Sequence, residues 1–189
     1  MSPNRIMRML QAAIVADAFG VPYEFKQRGT YTVAPEMVGG GFWEQAPGTW
    51  SDDTALTLAL LDHLTHADSY AKLMDRLTAY METGAYTPTG QLFDIGNACA
   101  KAIRTYVIEQ AEPTMCGDPS EFANGNGALM CLAPLAVALY AEPRFVTRAK
   151  SYRAYTQMTH RHPRAVLGSV IYLETLWPAS YTHLRAHET

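Results

Sequence analysis

The chain has 189 residues, 48% of them hydrophobic and only 17% charged, with a formal net charge of −3. That balance suits one globular unit with a sizeable core, and it gives no electrostatic footprint for nucleic acid. No apolar stretch approaches the ~20 residues that span a bilayer, and residues 1–9 lack the pattern of a signal peptide.

Residues 5–19 predict a helix, with Ile6, Leu10, Ala13, Ile14 and Ala18 at helical spacing; Gly20 and Pro22 stop it. Residues 27–47 read as a loop containing Gly39-Gly40-Gly41, and irregular stretches of that length in a compact domain are usually functional or disordered. A second helix starts at Asp52 or Asp53, with Leu56, Leu60 and Leu64 stacked at intervals of four. Residues 70–82 predict a third helix ended by Gly84, and residues 94–109 a fourth. After a loop over 113–126, the almost wholly apolar run 127–140 reads as a buried helix with a kink at Pro134. Helices over 145–159 and 164–177 flank His160-Arg161-His162-Pro163. No stretch alternates strongly enough for a strand, so the fold class is all-α, a compact multi-helix bundle. Residues 180–189, polar and carrying two histidines, read as a non-native tail on a helical domain of residues 1–179.

Three cysteines, Cys99, Cys116 and Cys131, form no CxxC pair and cannot all be bridged. A reducing, cytoplasmic setting is therefore expected, without a membrane partner, and a cysteine zinc site is not. The most informative chemistry is Ser51-Asp52-Asp53, a hydroxyl and two carboxylates where a Gly- and Pro-rich loop meets an apolar helix. Clustered hard oxygen donors are what Mg²⁺ or Mn²⁺ needs. The same residue types are also favoured helix caps, and acids in a first turn offset the helix dipole. Asp17, on a mostly apolar helix face, needs a partner and reads as a structural hydrogen-bond hub. On their residue types alone, Glu24 could be a solvated loop acid, Asp94 a helix cap, Asn126-Gly127 a turn and His160 a helix-end residue.

Taken together, residues 16–24 (ADAFGVPYE), 50–54 (WSDDT), 93–97 (FDIGN), 125–130 (GNGALM) and 159–163 (THRHP) resemble, in order and spacing, the ADP-ribosylglycohydrolase family. The resemblance implies an all-helical fold of that family's type with two Mg²⁺ or Mn²⁺ ions. It also implies hydrolysis of the bond between ribose C1 and a modified side chain or small acceptor. The expected partner is thus an ADP-ribosylated protein or a small ADP-ribosyl substrate. Ser51, Asp52 and Asp53 fall on the family's metal-binding positions. Glu24, with Asp52 and Asp53, falls on the catalytic ones, and Asp94, Gly96, Asn126, Gly127 and His160 on those that line the substrate cleft. Ala16 replaces a common Gly, and Cys131 stands where Arg is common, which removes a fork-shaped donor. Family members run on for about a hundred further residues, a domain-scale length, with a Gly-rich Asp-x-Asp segment that supplies more metal carboxylates. The fold is therefore expected to be incomplete at its C-terminus, and this length alone to show little turnover. A catalytically silent ADP-ribose-binding relative, or a hydrolase of another nucleoside-type substrate, is the alternative.

Overall fold

The computed structural model describes residues 3–185. Among them lie seven α-helices: α1 (Pro3–Gly20), α2 (Asp52–His66), α3 (Tyr70–Thr83), α4 (Asn97–Glu109), α5 (Gly127–Ala138), α6 (Phe145–Gln157) and α7 (Pro163–Arg185). Short 3₁₀ turns at Val21–Tyr23, Pro113–Met115 and Glu121–Ala123 punctuate the connections. No strand occurs among the described residues; two isolated bridges join Gly40 to Gln45 and Asp118 to His160.

Two boundaries differ from those the sequence predicts. The fourth helix begins at Asn97 with Gly96 as its N-cap, so Asp94 lies on an extended lead-in and does not cap it. Tertiary bonds hold that lead-in out: the Tyr80 hydroxyl donates to the Asp94 carbonyl, and the Gly96 N–H donates to Asp52. At the other end, α7 runs past Trp177 to Arg185, so helical backbone continues beyond the apolar pattern and into the stretch read as a tail. Residues 186–189 of that stretch lie outside the described ones.

α5 packs against both α2 and α7, and α3 packs on α2. Ala55 and Ala59 of α2 with Ala128 and Ala136 of α5 let the backbones approach, while Leu56, Leu60, Leu132 and Leu135 fill the remaining space. A helix apolar all round is the pattern a buried central helix requires. Leu73, Met74, Leu77 and Tyr80 complete the core from α3, and each such buried side chain contributes about 1.5–3 kcal/mol. Arg76 of α3 ties the periphery by donating to Asp62 of α2 (2.8 Å) and to Asp68 (2.6 Å).

The turn between α6 and α7 is pinned from below by Gly117. Its N–H donates to the Gln157 carbonyl at 3.0 Å, and Arg161 Nε donates to its carbonyl at 2.9 Å. A Cβ added at Gly117 would sit 2.6 Å from Gln157 O and 2.8 Å from the amide nitrogens of His160 and Arg161. All three are backbone atoms, so none can rotate away. Gly117→Ala is expected to cost about 1–3 kcal/mol and to lower Tm by several degrees. Thermal unfolding measures this; a Tm within 1 °C of wild type (an assay tolerance of about 0.3 kcal/mol) would show that the seam has room for a methyl group.

Candidate active site

The N-terminus of α2 is built by two cooperating caps. Ser51, in extended conformation, offers its Oγ to the Asp53 N–H at 3.3 Å. Asp17 reaches across from α1, its carboxylate accepting from Ser51 N (3.1 Å), Ser51 Oγ (2.7 Å) and Thr54 N (3.1 Å). The half-buried acid on α1 thus finds its partners among donors that would otherwise be unsatisfied at a helix start. Asp17 is a structural hub, as its position in the sequence suggests, and it also holds the candidate ligands.

The two consecutive acids then face different ways. Asp52, only 6% exposed, turns toward α4 and accepts from Gly96 N at 3.0 Å. Asp53 turns back toward Ser51 and lines a cleft of about 360 Å³ with Leu10, Ile14, Asp17, Thr57 and Met130. Glu24 arrives from the turn after α1 and accepts from Trp43 Nε1 at 2.7 Å. Trp43 is placed there by the glycine loop: Gly41, with φ +77°, lies so close to Pro22 that a Cβ would stand 2.6 Å from the Pro22 carbonyl oxygen. Only glycine satisfies both the angle and the approach. A more open groove of about 570 Å³ between α3 and α4, lined by Asp75, Glu82, Tyr106 and Val107, contains none of these residues.

Glu24, Asp52, Asp53 and Asp94 therefore share one region with Asp17, and their charges act on one another. Burial, then the charge of Asp94, pushes Asp52 up to about 6. Burial, then Asp17 and Asp52, does the same to Asp53. Burial and Glu24 raise Asp94 to about 6, and burial raises Glu24 against the Trp43 hydrogen bond. A carboxyl whose folded pKa lies above its unfolded value of about 3.9 keeps its proton longer in the native state. Its penalty is absent below pH ~4, grows through the window up to about 6, and is fully felt at pH 7. With solvent screening discounted, Asp53→Asn is expected to stabilise the cation-free protein by about 1 kcal/mol at pH 7, roughly 3 °C in Tm. The gain should shrink toward zero at pH 4. Buried His63 and His160, whose pKa values are lowered by burial, oppose this trend in the wild type but cancel in the difference. A variant less stable than wild type across the whole range would contradict the reading.

Gly127 and His160 form a second group. The buried His160 ring lies 3.1 Å from where a Gly127 Cβ would stand, and its Nδ1 bonds the Thr159 hydroxyl at 2.9 Å. Cys99, buried, and Cys131, half-buried, lie within electrostatic reach of Asp52 and Asp53. Burial of the thiol pushes Cys131 up to about 12 and raises Cys99 further, so both stay protonated. Asn126 is exposed at the start of α5 and makes no side-chain cap bond. The sequence singled out neither Trp43 nor the positioning of the acids by Asp17; a Trp directly after Gly39-Gly40-Gly41-Phe42 is the signal that could have found the former.

Residues 2–182 match the family described as ADP-ribosylglycohydrolase. The chain belongs to the ADP-ribosylglycohydrolase family. It is 34% identical over 136 residues to the ADP-ribosylarginine hydrolase Tri1 of Pseudomonas putida (strain GB-1), covering 71% of this chain and 36% of the relative. It is 33% identical over 164 residues to the ADP-ribosyl-[dinitrogen reductase] glycohydrolase of Rhodospirillum rubrum, covering 85% of this chain and 52% of the relative. A solved structure, that of an ADP-ribosylglycohydrolase-related protein complex, aligns with a TM-score of 0.71 at 30% identity, over 90% of this chain and 54% of its own. The chain thus spans about half the length, or less, of the relatives it matches.

The all-oxygen donor set at Ser51, Asp52 and Asp53 is of the kind that suits a hard divalent cation, and the mutual repulsion of the neighbouring carboxylates is what such a cation would relieve. Among the described residues no three His, Cys, Asp or Glu side chains are already gathered around a common point. No helix among the described residues is long and apolar enough to cross a membrane.

Proposed function

We propose that this domain carries the site of a divalent-cation-dependent hydrolase that cleaves the glycosidic bond between ADP-ribose and a modified side chain, arginine foremost. The reading rests on the grouping of Glu24, Asp52, Asp53 and Asp94 around the start of α2, near enough to feel one another's charge. Relatives named for ADP-ribosylarginine and ADP-ribosyl-dinitrogen reductase hydrolysis support it.

Ser51, Asp52 and Asp53 would hold Mg²⁺ or Mn²⁺, two ions by the family resemblance. When bound, such ions supply water activation and orientation of the ribose diol. Glu24, raised in pKa and fixed by Trp43, takes the proton from the water whose oxygen attacks ribose C1. The bond from C1 to the acceptor breaks, and the acceptor leaves with a proton. Asp94 and Gly96 border the ribose side, with Gly96 locked to Asp52. Asn126 and Gly127 bring the start of α5, whose free N–H groups favour a diphosphate. Neutral His160 fills the wall behind Gly127.

The second reading, ADP-ribose binding without turnover, is favoured by the incomplete gathering of ligands among the described residues. One assay separates them. The product of the complete reading frame is incubated with ADP-ribosyl-arginine and Mg²⁺ or Mn²⁺, with and without EDTA. Release of ADP-ribose that EDTA abolishes is expected; binding without release would establish the second reading, and release indifferent to EDTA would remove the role of the cation.

A further inference from the structure

Glu24 is followed by Phe25 and Asp94 preceded by Phe93, and both rings meet Trp43. Phe25 lies 5.0 Å from Phe42 and 5.8 Å from Trp43, Phe42 lies 4.8 Å from Trp43, and Trp43 lies 5.8 Å from Phe93, centroid to centroid. Buried aromatic clusters are ordinary, but this one is open: Phe25 is 74% and Phe42 66% exposed. Phe25 is moreover held at φ 59°, a left-handed conformation that is a true outlier for a bulky side chain. Backbone strain of this kind gathers at ligand sites, and here it sets the ring beside Phe42 and Trp43. Trp43 joins the two halves of the feature, because its indole N–H is spent on Glu24 while its ring carries the ledge.

Ring faces bordered by carboxylates recognise a planar cation: the rings attract it through their quadrupole, and the acids through charge. The one lysine close by, Lys26, already lies over Tyr23 and Tyr31, at 5.1 and 5.8 Å. Among the described residues no cation occupies the faces of Phe25, Phe42, Trp43 or Phe93. A nucleobase could also stack there, but it would draw its diphosphate toward Glu24 and Asp94. We infer that Phe25, Phe42 and Trp43 form the acceptor subsite, where the guanidinium of the modified arginine stacks beside Glu24 and Asp94. This rests on the hydrolase reading and adds to it a residue-level basis for choosing arginine over hydroxyl-linked acceptors, which offer no planar cation.

The test begins with agmatine, a free guanidinium probe, titrated against the chain while the Trp43 indole N–H resonance is followed. A saturable shift is expected. Phe25→Leu and Phe42→Leu keep apolar volume and remove the ring face; each should weaken agmatine about 3–10-fold, and the pair more, with ADP-ribose affinity held within about 2-fold. In the product of the complete reading frame, the pair should raise KM for ADP-ribosyl-arginine more than it lowers kcat. No shift at Trp43, an agmatine affinity unchanged in the paired variant, or a matching loss of ADP-ribose affinity would each overturn the subsite. Agmatine behaving as described while ADP-ribosyl-arginine is bound but never cleaved would uphold the subsite and remove only the hydrolase reading.

Discussion

Replacing Asp52 or Asp53 by Asn is expected to cut cation-dependent release of ADP-ribose by at least about 100-fold. Even the outer partners of a metal ligand are worth about 10–100-fold, and a lost ligand should cost no less. Each swap keeps the side-chain volume and the oxygen that accepts a hydrogen bond, so the Asp52 contact to Gly96 N survives. What disappears is the charge a hard cation requires. The measurement is initial rate against Mg²⁺ or Mn²⁺ concentration for the product of the complete reading frame. Near-normal turnover at limiting cation would show that both acids serve only as first-turn caps of α2.

The largest effect on stability is expected at the ion pair that joins α6 to α7. Arg148, 3% exposed, donates through Nε and Nη2 to Glu174 at 2.7 and 2.6 Å and through Nη1 to the Glu142 carbonyl at 2.9 Å. Its guanidinium also lies 3.8 Å from the Trp177 ring centroid. Glu174→Ala would strand that buried charge, a loss of about 3–5 kcal/mol, or roughly 10 °C in Tm. The pair itself need not stabilise the fold, since apolar replacements of similar volume are often neutral. Arg148→Met with Glu174→Leu should therefore recover most of what Glu174→Ala loses. A double variant as unstable as the single one would mean that the guanidinium's stacking and carbonyl contacts, not the stranded charge, dominate.

Much of the bundle is legible in the sequence because its helices carry their own signals. The 3.6-residue apolar period, Ser51 before Asp52 and Gly84 after Thr83 define α2 and α3 without tertiary help. α4 is misplaced at its start because Asp94 has the chemistry of a cap, while the bonds that hold it out of the helix come from Tyr80 and Asp52, distant in sequence. The candidate ligands are visible but not decidable from residue type, since capping and cation binding use the same oxygens. The structure shows Asp17 satisfying much of the capping need, which frees the acids for another role. The aromatic ledge is the least legible feature. It depends on Gly41 touching Pro22, a backbone approach that no local pattern announces.

On the proposed reading, a divalent cation would remove the cost of holding the acids at the start of α2 together. Thermal unfolding of the chain with and without millimolar Mn²⁺ at pH 7 tests it most directly. Wild type should gain several degrees on adding Mn²⁺, while a protein carrying both Asp52→Asn and Asp53→Asn should start higher and not respond. A wild-type Tm indifferent to Mn²⁺, or an equal rise in the double variant, would contradict it.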